Sequence, residues 1–185
     1  MKKFNYKYIL TLVVLFTCNI SNAEHGESPK VISQQIKNWT LQCAEDHGKK
    51  LCEISEALQI PNSNYRFSIS HSYYVNENKE KKENITFIVP LGANLKKSLT
   101  LVFDDKETTD IAWAKCESFG CIGLQTNNSS DKKEIDQFNK IKSLLSKSKK
   151  VEMRIPTFTT NPILIPADLD GYEQASTKMF AEEIF

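Results

Sequence analysis

The sequence predicts a mainly β domain, a sandwich or barrel, with one amphipathic helix and a second helical segment at the C-terminal end. Three observations carry that expectation. From Tyr65 to Val75, the residues Tyr65, Phe67, Ile69, His71, Tyr73 and Val75 alternate with Arg66, Ser68, Ser70 and Ser72, the period of a half-buried strand. Eight further short apolar runs are separated by polar connections, as in two-layer β folds. Between Asp131 and Lys147, by contrast, Ile135, Phe138, Ile141, Leu144 and Leu145 recur at helical spacing.

The chain begins with Lys2, Lys3 and Lys7, an apolar run from Tyr8 to Phe16, and Ser21-Asn22-Ala23. A positive start, a short apolar stretch and small residues before a cut are the marks of a secretory signal peptide, here residues 1–23 with cleavage after Ala23. The run is too short to span a bilayer, which takes about 20 apolar residues. Leu15-Phe16-Thr17-Cys18 resembles a lipoprotein box, but Phe16 and Thr17 are bulky where small residues belong. The remainder, residues 24–185, reads as a single soluble domain with no transmembrane segment.

Composition narrows the function classes. The 185 residues include 24 Lys plus Arg, 23 Asp plus Glu and 40% hydrophobic residues, which excludes a disordered polyelectrolyte and a collagen-like repeat. Losing the leader removes three lysines and no acid, taking the formal charge from +1 to −2. Arg66 and Arg154 are the only arginines, and lysine runs such as Lys79 to Lys82 are interleaved with Glu80 and Glu83. Nothing in that pattern points to nucleic acid.

The other strands are expected at Trp39 to Cys43, Leu51 to Leu58, Ile85 to Val89, Leu99 to Phe103, Ile111 to Lys115, Cys121 to Gln125, Val151 to Ile155 and Pro162 to Ile165. Asn76 to Asn84 is polar enough to close a hairpin, and Glu117 to Gly120 joins two strands. The helix over Asp131 to Lys147 opens on Asp131 and Glu134, placed as a capping box, and collects lysines towards its end. The second helical segment is expected from Tyr172 to Glu183, with Tyr172, Ala175 and Met179 on one face.

Four cysteines follow the leader: Cys43, Cys52, Cys116 and Cys121. Their local spacing in an exported chain suggests disulfides Cys43 to Cys52 and Cys116 to Cys121, although four cysteines allow three connectivities. A zinc site using His47 is the rival, disfavoured because eight and four intervening residues do not match the usual short ligand pairs. No C-x-x-C is present for redox catalysis.

Searches for chemistry return little. No G-x-S-x-G, P-loop, G-x-G-x-x-G or H-E-x-x-H occurs. His71 is a titratable residue in an apolar alternation, a base in a pocket or, more often, a satisfied buried histidine. Asp104-Asp105 and Asp168 with Asp170 read as turn residues, since no second cluster supplies a calcium loop. No catalytic residue, cofactor or metal ligand is therefore expected. Trp39, in phase with Leu41 and Cys43, reads as a core aromatic beside a cystine, and Gly120 as the turn residue of the short disulfide loop.

Asn38-Trp39-Thr40-Leu41-Gln42-Cys43, Cys52, Pro90-Leu91-Gly92-Ala93-Asn94-Leu95, Cys116-Glu117-Ser118-Phe119-Gly120-Cys121 and Asp168-Leu169-Asp170-Gly171-Tyr172 occur in one order. That ordered set resembles the invasion-associated locus B family over nearly the whole mature chain. The resemblance implies an immunoglobulin-like β-sandwich exported to the periplasm or outer-membrane surface of a Gram-negative bacterium. It implies a non-catalytic interaction protein whose partner is a protein in the envelope or on a host cell, linked in some pathogens to invasion. The alternative role it leaves is periplasmic housekeeping or partner binding without a host, and a third reading, an enzyme of unknown reaction, would need a pocket of convergent polar groups that the sequence does not announce. Two features depart from the family pattern: the Lys/Glu-rich hairpin at Asn78 to Glu83, and Tyr172 where phenylalanine is usual.

Overall fold

The computed structural model describes residues 30–46, 49–60, 65–76 and 78–181. The leader read from residues 1–23, with Cys18, lies outside the described residues, as does His47. The strands are β1 (Lys30–Ile36), β2 (Trp39–Asp46), β3 (Lys49–Gln59), β4 (Arg66–Val75), β5 (Lys81–Val89), β6 (Leu99–Phe103), β7 (Glu107–Ile111), β8 (Trp113–Glu117), β9 (Gly120–Thr126), β10 (Lys150–Ile155) and β11 (Ile163–Asp168). The helices are α1 (Lys132–Lys147), between β9 and β10, and α2 (Tyr172–Met179), after β11.

These strands form two antiparallel sheets that face one another as a sandwich. The larger has the order β1-β2-β3-β4-β5-β9-β8 and the smaller β11-β10-β6-β7. Period two decides which residues face inward: Leu41, Ile54, His71 and Ile85 sit in one cross-strand row, with Leu41 opposite Ile54, Ile54 opposite His71 and His71 opposite Ile85. All four are fully buried. The smaller sheet contributes Leu99, Leu101, Phe103, Ile111, Val151 and Met153 to the same core cluster.

Both helices close this core. α1 starts where the Asp131 carboxylate accepts from the Lys133 N–H at 2.8 Å, satisfying one of the donors that a helix start leaves open. It buries Phe138, Ile141 and Leu145 and packs on β9 and α2. α2 buries Tyr172, Ala175, Ser176 and Met179 and packs on β2 and β3. Burying an aromatic or large aliphatic side chain contributes about 1.5–3 kcal/mol, so these two stripes hold the helices firmly.

Four details depart from the sequence reading. The run expected as one strand from Ile111 to Lys115 is two, β7 and β8, broken at Ala112, which places its halves in different sheets. The hairpin loop is shorter than Asn76 to Asn84, because Lys81 to Asn84 pair with β4. The turn closes instead through the Asn76 carboxamide, whose oxygen accepts from the Asn78 and Glu80 N–H groups. β1 was not anticipated, and α2 ends at Met179 rather than Glu183, a position outside the described residues.

Candidate functional site

Both short cysteine pairs are bonded. Cys43 lies directly opposite Cys52 on β2 and β3, and Cys116 opposite Cys121 on β8 and β9. Their S–S distances are 2.04 Å and 2.07 Å. The first cystine is buried; the second has Cys121 inside and Cys116 exposed. Gly120 sits at φ 154°, and a Cβ there would lie 2.4 Å from the Val89 carbonyl oxygen. Only glycine fits that turn against β5.

His71 is fully buried, and both of its ring nitrogens are engaged. Nε2 is 2.9 Å from Glu83 Oε2 and Nδ1 is 2.9 Å from the Tyr172 hydroxyl. An ionised carboxylate only accepts, so Nε2–H donates to Glu83 and Nδ1 accepts from the Tyr172 O–H. The same Glu83 oxygen accepts from Lys142 Nζ at 2.5 Å. One chain of hydrogen bonds thus runs from the core to the surface, joining α2, β4, β5 and α1. Its members are wrapped by rings: Tyr172 meets Trp39 edge to face at 5.0 Å, Phe180 stacks on Tyr73 at 5.0 Å, and Lys142 Nζ lies 4.9 Å from the Phe180 centroid.

Electrostatics follow from that wrapping. Burial lowers the His71 pKa, the bond and charge of Glu83 oppose it, and the net direction is down. Burial alone would raise Glu83, but hydrogen bonds and charges from His71 and Lys142 outweigh it and hold the carboxyl below its usual range. Burial, assisted by the Glu83 charge, pushes Tyr172 up. These directions favour a neutral phenol, a neutral imidazole and an ionised carboxylate in the chain. With both nitrogens occupied, His71 presents no free base.

A second polar group lies inside the sandwich. Extending the β2–β3 register one step beyond Thr40 and Ser55 places Trp39 opposite Glu56. Trp39 Nε1 and Glu56 Oε2 are both buried without a protein hydrogen-bond partner. Burial, and behind it the charge of Asp168, pushes the Glu56 carboxyl up to about 7. The sequence reading missed Glu56, although its place in phase with Cys52 and Ile54 was a visible signal.

The aspartate pairs are turn and strand-end residues, as read from the sequence. Asp104 and Asp105 adopt φ 47° and 60°, and the Asp104 carboxylate accepts from the N–H groups of Lys149 and Lys150. Asp168 accepts from the Asp170 N–H, and Asp170 pairs with Lys37 at 2.6 Å on the surface. No group of three or more His, Cys, Asp and Glu able to hold a metal occurs among the described residues.

The exposed surface is uneven. Of the ten large hydrophobic side chains exposed among the described residues, six (Tyr65, Leu91, Leu95, Phe158, Ile163 and Leu164) come from three segments. Those segments are the start of β4, the β5–β6 loop and the stretch from the β10–β11 loop into β11. They meet in a shallow groove of about 200 Å³ lined by Tyr65, Phe67, Leu91, Ala93, Ile155 and Ile163. The loops brace each other: Asn94 donates through its backbone N–H to Pro156 O at 2.8 Å and through its side chain to Thr157 O at 3.3 Å. Trp113 Nε1 donates to Lys97 O at 2.7 Å. An exposed apolar groove held on a fixed backbone, with further exposed hydrophobic side chains on the same loops, marks an interaction surface.

A family model described as invasion associated locus B (IalB) protein matches residues 39–179. Among solved structures, the crystal structure of invasion associated protein B from Bartonella henselae is similar, with a TM-score of 0.56 at 20% identity. The match covers 80% of this chain and 94% of that one, and it bears on the fold. No curated protein matches the chain.

Proposed function

The chain belongs to the invasion associated locus B family, and from that membership we propose that it is an exported, non-catalytic interaction protein of the bacterial envelope. Its contact surface is the apolar end formed by Tyr65, Leu91, Leu95, Phe158 and Ile163. The observation that carries the reading is the gathering of exposed hydrophobic side chains on mutually braced loops at one end of the sandwich. Two chemical facts support the non-catalytic part: Cys43, Cys52, Cys116 and Cys121 are tied up as cystines, and His71 has both nitrogens occupied. The cystines also suit an oxidising compartment, and among the described residues no helix is long and apolar enough to cross a membrane.

The test places a photo-crosslinking residue at Leu91, at Phe158 and, as a control, at Lys79 in the β4–β5 turn, in cells expressing the full chain. Adducts to an envelope component, protein or lipid, at the first two positions and none at Lys79 are expected. Equal or absent crosslinking at all three would overturn the assignment of this end. Protease treatment of intact cells, with a periplasmic protein as leakage control, then tells which side of the outer membrane the surface faces. Loss of the protein directs the partner search to host cells, and protection directs it to the periplasm.

A further inference from the structure

We propose that the partner of the apolar end is an anionic lipid surface, into which the loop tips insert. This rests on the reading of that end as the contact surface. The loop segments carrying Leu91, Leu95, Phe158 and Ile163 span residues 90–98 and 156–164, and neither contains an aspartate or glutamate. They carry Lys96 and Lys97 instead, in a chain whose acids and bases are otherwise nearly balanced. Both lysines are exposed, and neither is ion-paired among the described residues. Arg66 adds an exposed guanidinium beside Tyr65. Two acids on the adjoining strands are engaged: Asp110, which shares a cavity lining with Lys97, accepts from the Thr100 hydroxyl at 2.6 Å, and Glu152 pairs with Arg154 at 2.7 Å.

The shape favours a bilayer over a peptide. Phe158 is 79% exposed and Leu91, at the rim of the groove, 57% exposed, so both side chains project outward from loops of two different segments. The groove between them, about 200 Å³, falls below the few hundred Å³ at which pockets enclose a ligand. A strand-like peptide would need a continuous sheet edge, and β11, the edge strand on this side, carries Pro166, which lacks an N–H to pair with one. Separate apolar tips flanked by unpaired lysines are what a headgroup region accepts: rings and aliphatic chains enter the acyl boundary while ammonium groups stay at the phosphates. The bracing by Asn94 and Trp113 means that little loop order has to be gained on binding.

The experiment uses the processed protein recovered from cells expressing the full chain, with its intact mass checked for a retained leader or acyl group. Co-sedimentation is measured with phosphatidylethanolamine vesicles containing about 30% phosphatidylglycerol, and with neutral phosphatidylcholine vesicles. Binding to the anionic vesicles alone is expected, weakened as salt rises from about 0.1 M to about 1 M. The Lys96→Glu/Lys97→Glu variant and the Leu91→Ser/Phe158→Ser variant should each bind at least tenfold less tightly, with unchanged circular dichroism and melting. Absence of vesicle binding, or binding that these variants leave intact, overturns the lipid proposal. If vesicles are not bound but the Lys96→Glu/Lys97→Glu variant loses a protein adduct at Leu91, the lipid partner is wrong and the contact surface stands. If neither vesicle binding nor adducts depend on these residues, both readings fall.

Discussion

His71 Nδ1 and the Tyr172 hydroxyl lie 2.9 Å apart across 101 residues of sequence, and this bond ties the last helix to the middle of the large sheet. Replacing Tyr172 with Phe keeps the ring and its edge-to-face contact with Trp39 but strips the buried imidazole nitrogen of its donor. An orphaned buried acceptor costs about 1–3 kcal/mol, so Tyr172→Phe should lower stability by that amount in urea unfolding. A His71→Leu/Tyr172→Phe double variant should be less destabilised than the sum of the singles. Additive losses would show that the two groups are not coupled.

Stability should respond to pH in two opposite senses. The Glu56 carboxyl, raised to about 7 by burial and Asp168, favours folding when protonated; its contribution is full below its unfolded value of 4.5 and is lost as pH rises to about 7. Glu56→Gln should therefore gain melting temperature over the parent between these limits, with a constant difference above them. Melting curves that shift in parallel at every pH would refute the assignment. His71 and Glu83 act in the other direction. Both are lowered, so their contributions hold above 6.5 and 4.5 respectively and fade as the solution is acidified.

Gly171 should not tolerate a side chain. It adopts φ 95° as the residue before α2, and a Cβ would stand 2.9 Å from Lys37 Cβ and 3.0 Å from Ile36 O. Gly171→Ala is expected to cost about 1–3 kcal/mol, read as a lower urea midpoint. Lys37→Ala, which removes only a surface ion pair with both partners more than half exposed, should cost under about 1 kcal/mol.

The cystines should matter in proportion to the loops they close. Cys43→Ala/Cys52→Ala should cost about 2–3 kcal/mol by loop entropy, with a further loss because a buried sulfur pair leaves the core. The Cys116–Cys121 cystine closes a shorter loop and has an exposed member, so Cys116→Ala/Cys121→Ala should cost the less of the two in thermal melts. The reverse order would mean that the β8–β9 turn holds the sheet edge more than the β2–β3 pair does.

The elements legible in the sequence were those with one wet and one dry face. β4 shows it: Phe67, Ile69, His71 and Tyr73 join the core, while Ser68 and Ser72 on the other face stay half-buried and only Ser70 among the serines is covered. α1 was legible for the same reason, with Asp131 marking its start. β1 was not, because an edge strand that buries only Ile36 has no alternation to read. β7, in the sequence Glu-Thr-Thr-Asp-Ile, likewise buries only its last residue. The hydrogen-bonded chain was half visible. His71 stood out, but Glu83 and Lys142 lay in segments read as a solvated turn and a helix's polar side, and no local pattern links residues 59 and 101 positions apart. The apolar end was invisible for a related reason: its three segments are adjacent only after the sheets have stacked.

The order in which the parts of this core emerge has its own consequence. β1 to β5 pair with chain neighbours throughout, so a nascent chain can assemble that meander early, with low contact order. Trp39, His71 and Tyr73 then lie on an open face until Tyr172 and Phe180 arrive to cover them. Whether the chain leaves a ribosome or a translocation channel, the same interval follows: an organised but sticky half-sandwich waits for its final helix. Such a species is both a natural client for a holding chaperone and a route to aggregation. A truncation that ends before residue 172 should extend that interval indefinitely, yielding protein that is made but does not accumulate.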